Sequence, residues 1–179
     1  MSNAPQSNPF VVFGLPARFD LDASAIERSY LSKLASAHPD VGEVGHAGAD
    51  AAELNRARAV LLDGEQRAIA LLEVLGGPSA SQCKDLPDGF LMEMMARRQE
   101  IEEQIAEAGE QSRNNWETWA CDERTRYTRS VAELFEAFQQ MPNPEKLIEI
   151  RMLLNAWRYI ERLIEQLDPE YDPAQADFQ

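Results

Sequence analysis

The side chains with chemical capacity in this chain are two histidines, two cysteines and a surplus of carboxylates, and their spacing limits what they could do. His38-Pro39-Asp40 is the tightest grouping. The proline locks its own φ, so an imidazole and a carboxylate can project together from one rigid turn. The same three residues could equally end a helix and begin a turn. Cys83 and Cys121 stand in different segments with no second Cys or His at ligand spacing, which predicts neither a disulfide framework nor a zinc site. Cys121 and His46 also fall in separate segments, without any local signature of a nucleophile and its base. The acidic runs Glu100-Ile101-Glu102-Glu103 and Asp168 to Asp172 read as a solvated helix face and a tail. No catalytic residue, metal ligand or cofactor is expected, and the chain does not read as an enzyme.

Thirty-one acidic side chains against seventeen basic ones leave a formal charge of -14. A surface of that sign repels phosphate backbones and anionic membrane faces, so neither nucleic acid nor membrane is expected as a partner. Hydrophobic residues make up 44% of the chain and charged residues 27%, enough apolar material for packed cores. A length of 179 residues fits one large domain or two small ones. Nothing before Arg18, the first basic residue, has the form of a secretory or transit segment. No apolar run approaches the roughly 20 residues that span a bilayer. A soluble cytoplasmic protein is expected, and two lone thiols suit that reducing compartment.

The elements that must position His38-Pro39-Asp40 follow from periodicity. Residues 1–8 are polar and read as a disordered leader. Pro9 to Phe13 is an apolar run closed by Gly14-Leu15-Pro16, short enough to be either a strand or a brief helix. A second helix opens at Asp22 or Ser24, with Glu27 completing a capping-box pattern after Ser24. Ile26, Tyr30, Leu31 and Leu34 continue it at helical spacing, and His38-Pro39 ends it, since a residue before proline is pushed from the α region. Glycines make 40–49 a loop. Helices are then predicted over 50–62, broken at Asp63-Gly64, and over 65–75, stopped at Gly76-Gly77-Pro78.

Residues 78–88 are rich in Pro, Ser, Gly and Asp and read as a linker between two domains, 9–77 and 89–168. Beyond the linker, three helical stretches at 89–108, 111–140 and 145–167 predict a three-helix bundle, followed by an acidic tail over 169–179. The fold class is all-α. On the first of these helices Phe90, Met94, Ile101, Ile105 and Ala108 share a core stripe, while Met92, Met95 and Gln99 fall roughly opposite and Leu91 lies off the stripe's edge. On the last, Leu147, Ile150, Leu154, Trp157 and Ile164 define a buried side from which Met152 points away. Methionines outside a core suit a surface that re-packs against a partner.

The order of elements around His38-Pro39-Asp40 resembles a J-domain. Phe13-Gly14-Leu15-Pro16-Ala17-Arg18, with Phe90-Leu91-Met92-Glu93 after the linker, resembles the HscB branch, co-chaperones of iron–sulfur cluster assembly. The resemblance spans Pro9 to Leu167. It implies that His38, Pro39 and Asp40, with Arg28 and Lys33 on the preceding helix, engage a DnaK/HscA-type chaperone and accelerate its ATP hydrolysis. It also implies that Leu91, Met92, Met95, Arg98, Glu103 and Met152 hold an IscU-type iron–sulfur scaffold as client. Departures are visible. The helix before the tripeptide offers only Arg28 and Lys33, with Ala37 and Val41 where the family commonly has Tyr and Lys. Ala96 and Gln99 stand where glutamates are expected, and Met152 where an aromatic is. Because steering charge sets on-rate and partner choice, the chaperone contact implied is weaker or matched to a less acidic chaperone. The alternative is a J-like adaptor or scaffold that keeps the fold without stimulating a chaperone.

Overall fold

The computed structural model describes residues 8–36 and 47–168, and every regular element among them is an α-helix. His38-Pro39-Asp40, His46, Ala37, Val41 and the tail 169–179 lie outside the described residues, as does the leader apart from Asn8. The chain divides between Gly77 and Pro78 into two compact units.

The first unit contains α1 (Pro9–Phe13), α2 (Ala23–Ser36), α3 (Ala47–Leu62) and α4 (Gly64–Val74). The ambiguous apolar run is a helix for local reasons. Asn8 Oδ1 accepts from the N–H groups of Phe10 at 3.0 Å and Val11 at 3.4 Å, which makes Asn8 a cap rather than leader. Pro9 takes the first position, where a missing N–H costs nothing. Gly14 closes the helix at φ 64°, its N–H on the Val11 carbonyl and that of Leu15 on the Phe10 carbonyl, a Schellman arrangement. Phe10 and Phe13 are thereby buried.

Asp22 caps α2, accepting from Ser24 N–H at 3.0 Å and from its hydroxyl at 2.6 Å. The expected capping box between Ser24 and Glu27 does not form, because Glu27 turns to α3 instead. There Arg58 forks onto its carboxylate, Nε at 3.0 Å and Nη2 at 2.6 Å. Tyr30 donates to Asn55 Oδ1 at 2.8 Å, and Ser29 donates to the Phe13 carbonyl at 2.6 Å. Ile26 is buried, but Leu31, five residues on and about 140° around the helix, is 60% exposed, because α1 and α3 cover other sides of α2. α3 starts at Ala47, inside the expected loop; Gly48 is tolerated in a first turn whose N–H groups lack intrahelical partners anyway. Leu54, Ala57 and Leu61 of α3 and Ala68, Leu71 and Leu72 of α4 are buried. α4 ends in a second Schellman arrangement, with Gly76 N–H on Glu73 and Gly77 N–H on Leu72. A Cβ at Gly77 would come within 2.2 Å of Leu72 Cδ1, so any side chain there would force the buried Leu72 to shift.

The second unit contains α5 (Phe90–Ala108), α6 (Glu110–Gln140) and α7 (Pro144–Leu167). The α6–α7 hairpin is its main body, burying Val131, Phe135, Ile150, Leu154, Trp157 and Ile160. Asn143 caps α7 by accepting from Glu145 N–H at 2.9 Å, and Pro144 follows at the first position. Lys146 Nζ folds back onto the carbonyls of Ala137 at 2.9 Å and Met141 at 3.3 Å, placing a cation on the negative end of α6.

α5 is pinned at its first residue. The Phe90 ring lies edge-on to Tyr127, with centroids 6.4 Å apart, and to Tyr159 at 5.6 Å. Two turns on, the Arg97 guanidinium stacks over Trp119 at 5.2 Å and Trp116 at 5.7 Å and pairs with Glu100 at 3.0 Å. Phe90, Met94 and Ile101 are buried as the stripe predicts, but Ile105 is half-buried and Ala108 exposed. α5 packs chiefly on α6, so its last turns meet one helix instead of two. On α7, Ile164 is likewise half-buried.

Residues 78–88 fall in the second unit and are tied to it. Asn155 Nδ2 donates to the carbonyls of Cys83 at 3.1 Å and Asp85 at 2.9 Å, while its Oδ1 accepts from Nε of the buried Arg151 at 2.9 Å. Among the described residues, no helix is long and apolar enough to cross a membrane.

Candidate functional site

Three apolar side chains stand out on the first turns of α5. Leu91 is 50% exposed, Met92 78% and Met95 66%. Their exposure follows from Phe90. Anchoring that ring on Tyr127 and Tyr159 turns the next residues outward, and at about 100° per residue Leu91 and Met95 lie about 40° apart with Met92 on their flank. Arg98 continues the Leu91–Met95 row one turn later and is exposed. Glu103 lies further along, on the Met92 side, and accepts from Gln99 Nε2 at 2.9 Å. The helix thus carries an apolar end followed by a charged stretch, outside its core stripe, with Leu91 and Arg98 nearer the stripe's edge and Met92 and Glu103 opposite it.

Met152 sits elsewhere. It is half-buried on α7, one turn before the Asn155 that holds residues 83–85, and two turns before Tyr159 under Phe90. The expectation that Met152 points clear of the α7 core is met only in part, because the hairpin buries more than one side of that helix.

In the first unit the structure describes the stems on either side of the tripeptide, α2 to Ser36 and α3 from Ala47. Arg28 is exposed and turned toward the start of its own helix, donating to Ser24 Oγ at 2.9 Å with Asp22 at 3.9 Å. Lys33 is exposed in the last turn. Five residues separate them, so they lie about 140° apart and do not share a face. The residues that do share the outward line of α2 with Arg28 are Ser24, Leu31 and Ala35, all exposed. Reading charge alone passes over Leu31, whose exposure depends on what α1 and α3 cover. The part played by Arg97 is hidden from local spacing for a similar reason: its two indole partners, Trp116 and Trp119, are 19 and 22 positions away.

Among the described residues, the groups with shifted acidity sit in structural contacts. The fork from Arg58 holds the Glu27 carboxyl below its ordinary range, and Glu27 raises Arg58 in return. Asp22 is lowered by its bonds from Ser24. Burial raises Tyr127 and lowers Arg67. Cys83 and Cys121 are free, half-buried thiols, and no group of three or more potential ligands for a metal ion occurs among the described residues. The described surface carries an apolar row at the start of α5, flanking charges and exposed helix faces.

Known proteins share the fold that carries these residues. No family model matches the chain. The co-chaperone protein HscB homolog of Bordetella petrii is 30% identical over 173 residues, covering 88% of this chain and 92% of the relative. The crystal structure of human co-chaperone protein HscB superposes with a TM-score of 0.72 at 22% identity, covering 93% of this chain and 83% of that one, a likeness of fold. The chaperone HscB from Vibrio cholerae superposes with a TM-score of 0.63 at 25% identity, over 89% of this chain and 99% of that one. With such identity along nearly the full length of a relative, and the J-domain plus C-terminal helical fold of those structures, the chain belongs to the HscB family of J-type co-chaperones.

Proposed function

We propose that this chain delivers an IscU-type iron–sulfur scaffold to a DnaK/HscA-type chaperone, holding the scaffold through its second unit and stimulating the chaperone's ATPase through His38-Pro39-Asp40. The observation that carries this reading is the exposure of Leu91, Met92 and Met95 together at the start of α5 in a member of the HscB family. Apolar side chains that a helix leaves in water form the desolvated centre of an interface, and methionines adapt to the partner's surface. Arg98 and Glu103 supply a charged rim beyond them, and Met152 a further apolar contact. Arg28 and Lys33 assist the tripeptide on the chaperone side. The ATP chemistry belongs to the chaperone, and this chain acts without a cofactor in the cytoplasm.

Two measurements separate the two arms. In a steady-state ATPase assay with a DnaK-type chaperone, the unaltered chain accelerates hydrolysis and Asp40→Asn abolishes the acceleration. In a pull-down, an IscU-type scaffold is retained by the unaltered chain and lost with Met92→Ser combined with Met95→Ser. The adaptor reading is favoured by one observation, the engagement of Arg28 at the start of its own helix. Retention of the scaffold without any acceleration of the ATPase would establish that reading in place of ours.

A further inference from the structure

One line along α7 is covered for half its length and open for the rest. Ile148, Met152, Asn155 and Tyr159 are spaced i, i+4, i+7 and i+11, so they form one row on the helix. At the far end Tyr159 is covered by the Phe90 ring, and at Asn155 the segment of residues 83–85 is hydrogen-bonded across the row. Among the described residues, the chain's own segments occupy the row as far as Asn155. Met152 is half-buried, and Ile148 is 45% exposed, with Met141 also exposed in the connection that leads into α7.

The charge around the open half is one-sided. Glu145 and Glu149 are exposed and lie within about 100° of Ile148 on one flank. The cations of the same stretch are turned inward: Lys146 sits on the carbonyls that end α6, and Arg151 is buried against Asn155. An apolar row flanked by two exposed carboxylates, Glu145 also accepting from Asn143 Nδ2 at 3.4 Å and neither paired with a cation of the same stretch, matches a segment with apolar residues flanked by Lys or Arg. By the rise of an α-helix, Ile148 lies about 16 Å from Tyr159, where α5 begins its exposed row. That span fits within one protein–protein interface of ordinary size.

We infer that Ile148 with Glu145 and Glu149 forms a second contact zone for the client, one that takes an apolar, basic segment of the scaffold alongside the α5 patch. The inference rests on the reading that the second unit holds that client. It adds a residue pair whose role is electrostatic and an apolar residue whose role is not, so the two can be separated by salt.

The test is a titration of the full chain with a purified IscU-type scaffold, followed by calorimetry at low and high salt. Ile148→Ser is expected to weaken binding about five- to tenfold, as loss of an interface anchor does, at both salt concentrations. Glu145→Lys combined with Glu149→Lys is expected to weaken binding at low salt and to remove its decline with added salt. The side chains are exposed, and an unchanged thermal melt followed by the three tryptophans, all in the second unit, shows that the hairpin is intact. If Met92→Ser weakens binding while Ile148→Ser and the double lysine variant both bind as the unaltered chain does, the second zone is overturned and the α5 patch stands. If the unaltered chain fails to bind the scaffold, the client reading falls and the second zone with it.

Discussion

α2 and α5 each carry half of the proposed activity, yet they are held in place by opposite means. α2 buries one side chain, Ile26, and is otherwise fastened by polar contacts: the Arg58 fork on Glu27, the Tyr30–Asn55 hydrogen bond and the Ser29 bond to the end of α1. α5 is fastened by Phe90, Met94 and Ile101 and by the Arg97 stack on two indoles. Their outward faces also differ. The helix with polar anchors presents Ser24, Arg28, Leu31 and Ala35, and the one with apolar anchors presents Leu91, Met92 and Met95. A polar clamp is directional and answers to pH, whereas an apolar anchor fixes a helix while remaining indifferent to both. The difference teaches how an apolar patch can be kept in water: the side opposite it must be anchored strongly enough that the patch does not roll inward.

That account is broken most directly at Phe90. Phe90→Ala removes a buried ring from between Tyr127 and Tyr159 and should cost about 3–5 kcal/mol of second-unit stability. Leu91→Ala, one residue on, should stay within about 0.5 kcal/mol because the side chain is already half in water. All three tryptophans lie in the second unit, so denaturant unfolding followed by their fluorescence reads this unit alone. Equal midpoints for the two variants would show that α5 is not anchored through its first turn.

A smaller effect sharpens the α2 side. Ser29→Ala deletes the bond from Ser29 Oγ to the Phe13 carbonyl, half-buried between α1 and α2. The expected loss is about 1 kcal/mol, the net value of one such bond plus the carbonyl left behind. Amide hydrogen exchange is the readout, with faster exchange in α1 and α2 and no change in α5 to α7. Faster exchange spread evenly over the chain would contradict the local role of the clamp.

The contrast also explains what the sequence disclosed. The bounds of α5, α6 and α7 were legible to within a residue because Gly109, Pro142 and Pro144 punctuate them, and each is long enough for its period to show. The exposed row of α5 was legible for the same reason, being the complement of a core stripe. α1 was not, since five residues carry no period, and its caps had to be seen. Leu31 misled because spacing cannot say which sides of a helix have neighbours. The polar contacts were the least legible. Glu27 looks like the partner of Ser24 three residues back, yet its partner is 31 residues ahead, and Asn155 reaches carbonyls 70 and 72 residues behind it. Arg28 and Lys33 could be chosen for charge, and their five-residue spacing already sets them about 140° apart; that Arg28 turns back onto Ser24 and Asp22 had to be seen.

The smallest effect expected is one of pH, and it falls on one unit only. Arg58 lowers the folded pKa of Glu27 beneath its unfolded value, which for glutamate is about 4.3. A carboxyl lowered on folding contributes stability above the unfolded value, and that contribution is lost as pH falls through the folded one. Acid below about pH 4 should therefore loosen the α2–α3 stems before it reaches the apolar anchors of α5. Glu27→Gln cannot fork with Arg58 as a carboxylate does, so the variant should start less stable at pH 7 and lose less on acidification. Hydrogen exchange across α2 and α3 between pH 6 and about pH 3.5, referenced to the intrinsic rate at each pH, reads both changes. If Glu27→Gln and the unaltered chain show the same acid response in α2, the fork on Glu27 is not what holds that helix. The difference between the two helices would then rest on Ile26 against Phe90, Met94 and Ile101, a difference in the amount of apolar burial and not in its kind.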